Sequence, residues 1–179
     1  MEPDWKPETL AVRAGQQRSQ FGEHAEALYL TSSYVFESAA QAAARFSGAE
    51  AGMVYARFSN PTVAMMQDRL AALEGAEGCI ATASGMSAIL SSAMALLSAG
   101  DHVVAARSIF GATQQLFGNI LSRFGVETTF VAGTAPEPFR AAMRPNTKLV
   151  FIETPSNPLT EVFDIAALAR HARMIRRAD

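Results

Sequence analysis

The sequence predicts an α/β domain with a mostly parallel sheet, helices on both of its faces, and an extended amino-terminal arm in front of it. Two observations carry this. From Asn60 onward, short runs that are apolar on both faces alternate with segments of helical period, the pattern of buried parallel strands joined by helices. Before Asn60 the chain has polar segments, one helical pattern near Phe36–Phe46 and little strand alternation. The expected division is therefore an arm over 1–59, which needs something else to pack against, and an α/β region over 60–179.

The elements follow in order. Asn60-Pro61 offers a side-chain acceptor at an N-cap and proline at the first helical position, so a helix is expected through Met65, Met66, Leu70 and Leu73 to Gly75. An apolar run over 78–82 predicts a first strand, and a helix over about 85–98 should close at Gly100. Val103–Ala106 predicts a second strand, followed by a helix over about 111–124 that stops near Gly125. Val126–Val131 predicts a third strand. A short helix near 136–143 precedes a fourth strand, Leu149-Val150-Phe151-Ile152. Asp164 then caps a helix that carries Ile165, Leu168, Ala169 and Ala172 on one face. In such sheets ligands bind at the carboxyl ends of the strands, which directs attention to the residues just after 82, 106 and 152.

Composition narrows the function classes. A net charge of -2 over 179 residues argues against a broad nucleic-acid footprint. The one basic cluster, Arg170, Arg173, Arg176 and Arg177, reads as the solvated carboxyl end of a helix. The single Cys79, in an apolar run, excludes an internal disulfide and reads as a buried thiol. His24, His102 and His171 are scattered, so no metal site is expected. No leader pattern and no membrane-length apolar stretch is seen, so the expected location is cytoplasmic, with no membrane partner.

Four constellations could carry chemistry. Thr82-Ala83-Ser84-Gly85-Met86-Ser87 lies at a strand-to-helix junction, where free amides and the helix dipole suit a phosphate; a plain helix cap is the alternative. Tyr55 and Arg57 would point the same way from extended backbone, and a phenol beside a planar fork of donors makes a phosphate clamp; a surface arginine beside an interface tyrosine is the alternative. Phe110 falls after a strand, where a flat ring could stack on it or where it could be a core aromatic. In Glu153-Thr154-Pro155-Ser156-Asn157-Pro158 two prolines stiffen a loop that presents Asn157 at a strand's mouth; an ordinary turn is the alternative. Walker, dinucleotide and nucleophile-elbow spacings are all missing.

Taken in order, Tyr-x-Arg-x-x-Asn-Pro-Thr from Tyr55, Ser84-Gly85-Met86, and Glu153-Thr-Pro-Ser-Asn-Pro resemble the Cys/Met-metabolism family of pyridoxal-phosphate (PLP) enzymes. The resemblance runs from about Thr9 onward and implies part of the large domain of a fold-type-I PLP-dependent transferase. It implies that Tyr55 and Arg57 bind the cofactor phosphate of a neighbouring subunit. It further implies that Ser84, Gly85 and Met86 hold the phosphate, that Phe110 stacks on the pyridine ring where many members have tyrosine, and that Asn157 bonds the ring's phenolic oxygen. A homo-oligomer, a dimer of dimers with shared active sites, is implied as well.

The family also uses an aspartate on a following strand and a Schiff-base lysine beyond it. Asp179 does not match that aspartate, and neither Lys6 nor Lys148 matches that lysine, so no catalytic residue is expected within this chain and by itself it is expected to be inactive. Within the family, Ala14-Gly15-Gln16, Leu30–Phe36 and Arg107–Gly111 are most similar to O-succinylhomoserine sulfhydrylases. Those enzymes replace succinate at the γ-carbon with sulfide to give homocysteine for methionine biosynthesis. Cystathionine γ-synthase, O-acetylhomoserine sulfhydrylase and γ- or β-lyase activity are the alternatives within the family. A non-catalytic truncated domain is the alternative of another class.

Overall fold

The computed structural model describes residues 4–175. The chain divides into two compact units, Met1–Ala81 and Thr82–Asp179. The basic residues Arg176 and Arg177, and Asp179, lie outside the described residues.

Among the described residues the first unit holds three helices, α1 (Pro7–Arg13), α2 (Ala39–Phe46) and α3 (Pro61–Glu74). α3 forms as the sequence predicts: Asn60 caps its start by accepting from Thr62 N at 2.9 Å, and Gly75 ends it in the left-handed region with φ 61°. α1 packs against α3, with Ala14 and Met65 buried. The turn after α1 presses its backbone onto α3. A Cβ on Gly15, whose φ is +70°, would lie 2.6 Å from Met65 O and 2.8 Å from Asp68 Cβ, so only glycine fits there. The same two residues that start α3 also tie down the chain before it. Asn60 Nδ2 donates to Tyr29 O at 2.9 Å, and Thr62 Oγ1 accepts from Tyr29 N at 2.9 Å. Around these ties much apolar surface stays uncovered; Leu30 is 95% exposed, and Phe21, Leu28 and Val35 are exposed too.

The second unit is a three-stranded parallel sheet of β1 (His102–Ala106), β2 (Glu127–Val131) and β3 (Thr147–Phe151), in the order β2-β1-β3. Its helices are α4 (Gly85–Leu96), α5 (Gly111–Gln115), α6 (Pro136–Ala142) and α7 (Ile165–Ile175). All five residues of β1 are buried. Successive strand residues face opposite sides, so both faces of β1 are covered. The core joins Val103, Val104, Ala105 and Ala106 to Leu116, Phe117, Leu121, Phe139, Phe163 and Leu168. Phe117 meets Phe151 with ring centroids 5.1 Å apart, and Phe139 meets Phe163 edge-on at 5.9 Å. Each fully buried phenylalanine contributes about 1.5–3 kcal/mol. Asp164 caps α7 as expected, accepting from Ala167 N at 2.8 Å.

Apart from the ends of individual elements, the second unit and the chain leading into it differ from the sequence reading at 78–82, Cys79 and 111–124. The run 78–82 is not a strand. It has no ladder partner among the described residues, and Ile80 is 86% exposed; apolar character alone does not make a strand without a neighbour to bond. Cys79, in the same run, is only partly buried. The helix expected over 111–124 is regular only to Gln115. It then widens into a π turn over Leu116–Ile120 and tightens into a 3-10 turn over Leu121–Phe124 before Gly125. Gly118, beside the Phe130 ring, lies in the widened part, and its low helix propensity lets packing decide the local pitch.

At the amino-terminal edge of the sheet, His102 is fully buried, with Nδ1 2.8 Å from Thr147 Oγ1 and Nε2 2.9 Å from Thr129 Oγ1. Burial, and then the nearby Arg144 guanidinium, lower its pKa below the ordinary 6.5, against a smaller opposing pull from Glu127. The unfolded chain therefore binds a proton that the folded one resists. The contribution of His102 to stability is complete above the ordinary 6.5 and is lost as the pH falls below it. In urea unfolding, His102→Leu should cost about 1–3 kcal/mol at pH 8, because both threonine hydroxyls lose a partner. It should also flatten the loss between pH 7 and pH 5. A mutant as pH-sensitive as the wild type would show that other groups govern this range.

Candidate functional site

The strand order fixes where a ligand can sit. β1 leads to β2 on one side of it, and β2 then leads back across β1 to β3 on the other. Right-handed crossovers in opposite directions place α5 and α6 on opposite faces of the sheet, and α7 packs with α6. The chains leaving the carboxyl ends of β1 and β3 thus part to opposite faces, opening the crevice in which such sheets bind ligands. Phe110 comes from the chain after β1, and Asn157 from the chain after β3.

Phe110 is 49% exposed and stands at the N-cap of α5, so one side of its ring is free for a flat partner. The loop after β3 is held by its own hydrogen bonds. Phe163 N donates to Thr154 Oγ1 at 3.1 Å, and the buried Ser156 receives Glu161 N on its Oγ at 3.1 Å. Both proline peptides, Thr154-Pro155 and Asn157-Pro158, are cis. The loop leaves Asn157 exposed, with no hydrogen bond to its side chain among the described residues.

α4 is 12 residues long and begins at Gly85. Ser84 Oγ caps it by accepting from Ser87 N at 3.1 Å, and Thr82 Oγ1 steadies the approach by donating to Ser84 O at 2.8 Å. Ser84 and Gly85 are exposed. Among the described residues the amides of Gly85 and Met86 have no acceptor, and a Cβ on Gly85 would meet nothing within 4 Å. Open space, two free donors and the positive end of the helix suit an anion. The cap and the anion site are thus compatible: Ser84 satisfies the third amide and leaves the first two.

Tyr55 and Arg57 belong to the first unit and come together by a route the sequence reading did not foresee. Tyr55 makes an isolated bridge with Ser33. The chain then turns, with Phe58 N and Ser59 N both donating to Tyr55 O at 2.9 and 3.1 Å. Arg57 is therefore not extended beside Tyr55; its guanidinium carbon lies 5.1 Å from the ring centres of both Tyr55 and Phe58. Cation–π contact holds the fork of donors, and Arg57 stays exposed. Phe58, the second ring, was not singled out by spacing.

Sequence reasoning also passed over Glu153 and Thr113. Glu153 Oε2 accepts from Phe110 N at 2.9 Å, and Oε1 lies 3.5 Å from Thr113 Oγ1. Thr113 is fully buried, and its Oγ1 is 3.8 Å from Met86 Sδ. The first turns of α4 and α5 and the end of β3 are thereby joined. The available signal was a carboxylate directly after the apolar run Leu149–Ile152, where an unpaired charge is costly.

Comparison with known proteins identifies the family. The family model for Cys/Met metabolism PLP-dependent enzymes matches residues 8–177. An O-succinylhomoserine sulfhydrylase of Pseudomonas aeruginosa is 57% identical over 165 residues, covering 92% of this chain and 41% of the relative. An L-methionine gamma-lyase of Treponema denticola is 40% identical, covering 90% of this chain and 40% of the relative. Among solved structures, an assigned O-acetylhomoserine (thiol)-lyase of Campylobacter jejuni, which carries N'-pyridoxyl-lysine-5'-monophosphate, superposes with a TM-score of 0.87 at 34% identity. That match covers 97% of this chain and 43% of the other. The chain thus spans about two fifths of the length of the proteins it matches.

Ser84→Ala should cost about 0.5–2 kcal/mol of stability by removing the α4 cap, read by urea unfolding. Inorganic phosphate should still stabilise the variant, because the amides of Gly85 and Met86 remain. Loss of the phosphate effect in Ser84→Ala would place the anion on the serine hydroxyl instead.

Proposed function

The chain belongs to the Cys/Met metabolism PLP-dependent enzyme family, and on that premise we propose that it acts, as part of a longer enzyme, in γ-replacement on O-succinylhomoserine. Sulfide is the incoming nucleophile and homocysteine the product. The observation that carries this choice is the greater likeness to the Pseudomonas sulfhydrylase than to the Treponema lyase.

PLP, when bound, serves as an electron sink for carbanions. The residues of this chain bind and orient it. In this reading the amides of Gly85 and Met86 take the phosphate, with the Ser84 cap keeping them aimed. Phe110 stacks on the ring. Lacking a hydroxyl, it offers no proton, so proton transfer falls to other groups. Asn157 donates to the ring's phenolic oxygen. Tyr55 and Arg57 complete the phosphate site of a neighbouring subunit, which agrees with a first unit rich in uncovered apolar surface. A homo-oligomer with shared active sites follows, the expected arrangement being a dimer of dimers in the cytoplasm.

Neither lysine of this chain serves as the cofactor-holding lysine in this account. Lys6 stands at the N-cap of α1, in the other unit. Lys148 is exposed near the amino end of β3, about 10 Å of strand from the carboxyl edge that Phe110 and Asn157 flank. The residues described above therefore supply binding without the nucleophile, and the chain on its own is inactive in this reading.

The full-length enzyme should form homocysteine from O-succinylhomoserine and sulfide faster than it releases the elimination product without sulfide. Phe110→Ala should release PLP up to about tenfold faster, since stacking is worth about 0.5–1.5 kcal/mol, whereas Phe110→Tyr should stay near wild type. Elimination outrunning replacement would move the protein to the lyases. Unchanged PLP release in Phe110→Ala would make that ring a core aromatic.

A further inference from the structure

We propose that Glu153 is a positioning residue that locks the Phe110 ring to the first turn of α4, so that the ring-stacking surface and the phosphate amides keep one fixed spacing. The proposal rests on the reading of Phe110 as the surface the cofactor ring stacks on.

Phe110 occupies the N-cap of α5 but has no side-chain acceptor to cap it. Its own N–H also points away from the helix ladder. The Glu153 carboxylate takes that N–H at 2.9 Å. Its other oxygen faces the hydroxyl of Thr113, one turn further along, at 3.5 Å. Thr113 has no exposure to solvent, and the same hydroxyl lies 3.8 Å from Met86 Sδ. One path therefore runs from Phe110 N through Glu153 and Thr113 to Met86, the residue whose amide stands open at the start of α4.

The path also crosses the crevice, because Glu153 follows β3 whereas Phe110 and Thr113 follow β1. Neighbouring strands that send their chains to opposite faces leave a gap between them. A charge-assisted hydrogen bond across the gap sets its width. Gripping the Phe110 N–H also restrains rotation of the residue that carries the ring, at φ -55° and ψ 140°. A plain structural cap would stabilise α5 without this link to the ring.

The test uses the holoenzyme and measures PLP release, with amide hydrogen exchange at Phe110 as a readout independent of activity. Glu153→Ala should release PLP faster, by no more than the roughly tenfold ceiling of Phe110→Ala, since only the stacking of that ring is lost, and the Phe110 amide should exchange faster. Glu153→Gln keeps an acceptor oxygen in place and should restore both. In the double variant, Phe110→Ala should hide the effect of Glu153→Ala, because a positioning residue has nothing left to position. If Phe110→Ala speeds release and Glu153→Ala does not, the role of Glu153 is overturned while the stacking reading stands. Additive effects in the double variant would likewise overturn it. If Phe110→Ala leaves release unchanged, the stacking reading fails and this proposal with it. Should Glu153→Ala not fold, Thr113→Val carries the same test: faster release supports the link, and wild-type release overturns it.

Discussion

The seating of β1 between β2 and β3 is the constraint on which the rest of the second unit depends. All five of its residues are buried, which is possible only with strands on both edges and helices on both faces. The order β2-β1-β3 then forces consecutive crossovers in opposite directions, and the handedness of crossovers turns that order into a crevice. Nothing at the crevice needs a special fold of its own. Phe110, Glu153 and Asn157 are simply the residues that follow β1 and β3, and the start of α4 is brought to them through Thr113 and Met86.

The first unit obeys a different logic. Its order comes from α3, whose opening Asn60 and Thr62 cap the helix and also hold the chain at Tyr29, and from Gly15, whose backbone lies directly on α3. These ties are polar or steric and bury little. Exposed Phe21, Leu28, Leu30 and Val35 form apolar surface of the kind that burial elsewhere would stabilise at about 25 cal/mol per Å². The Arg57 guanidinium, set against the Tyr55 and Phe58 rings, is held in place with its donors still open.

Where local chemistry and tertiary packing agree, the sequence was readable. Asn60-Pro61 and Gly75 bound α3 as their backbone preferences require, Asp164 begins α7, and the apolar run at 103–106 is the buried central strand. Parallel pairing was legible from the apolar runs at 103–106, 126–131 and 149–152, and the PLP family from short motifs whose residue types and order do not depend on distant partners. The reading failed where partners decide. Residues 78–82 have strand composition but no neighbour to bond, and 111–124 has helical period but a pitch set by packing around Phe117 and Gly118. Glu153 was visible as a letter of a motif, but its role depends on Phe110, 43 positions away, a distance that only the β1–β3 pairing closes.

The central claim is that the crevice beside β1 and the open start of α4 form one PLP site. The direct measurement is amide hydrogen exchange across the full-length protein with and without PLP, resolved to single residues. The account predicts strong added protection at Gly85 and Met86, with smaller added protection through the segment following Phe110, and none at the opposite sheet edge around His102 and Thr147. Protection at that opposite edge, with Gly85 and Met86 unchanged, would contradict it.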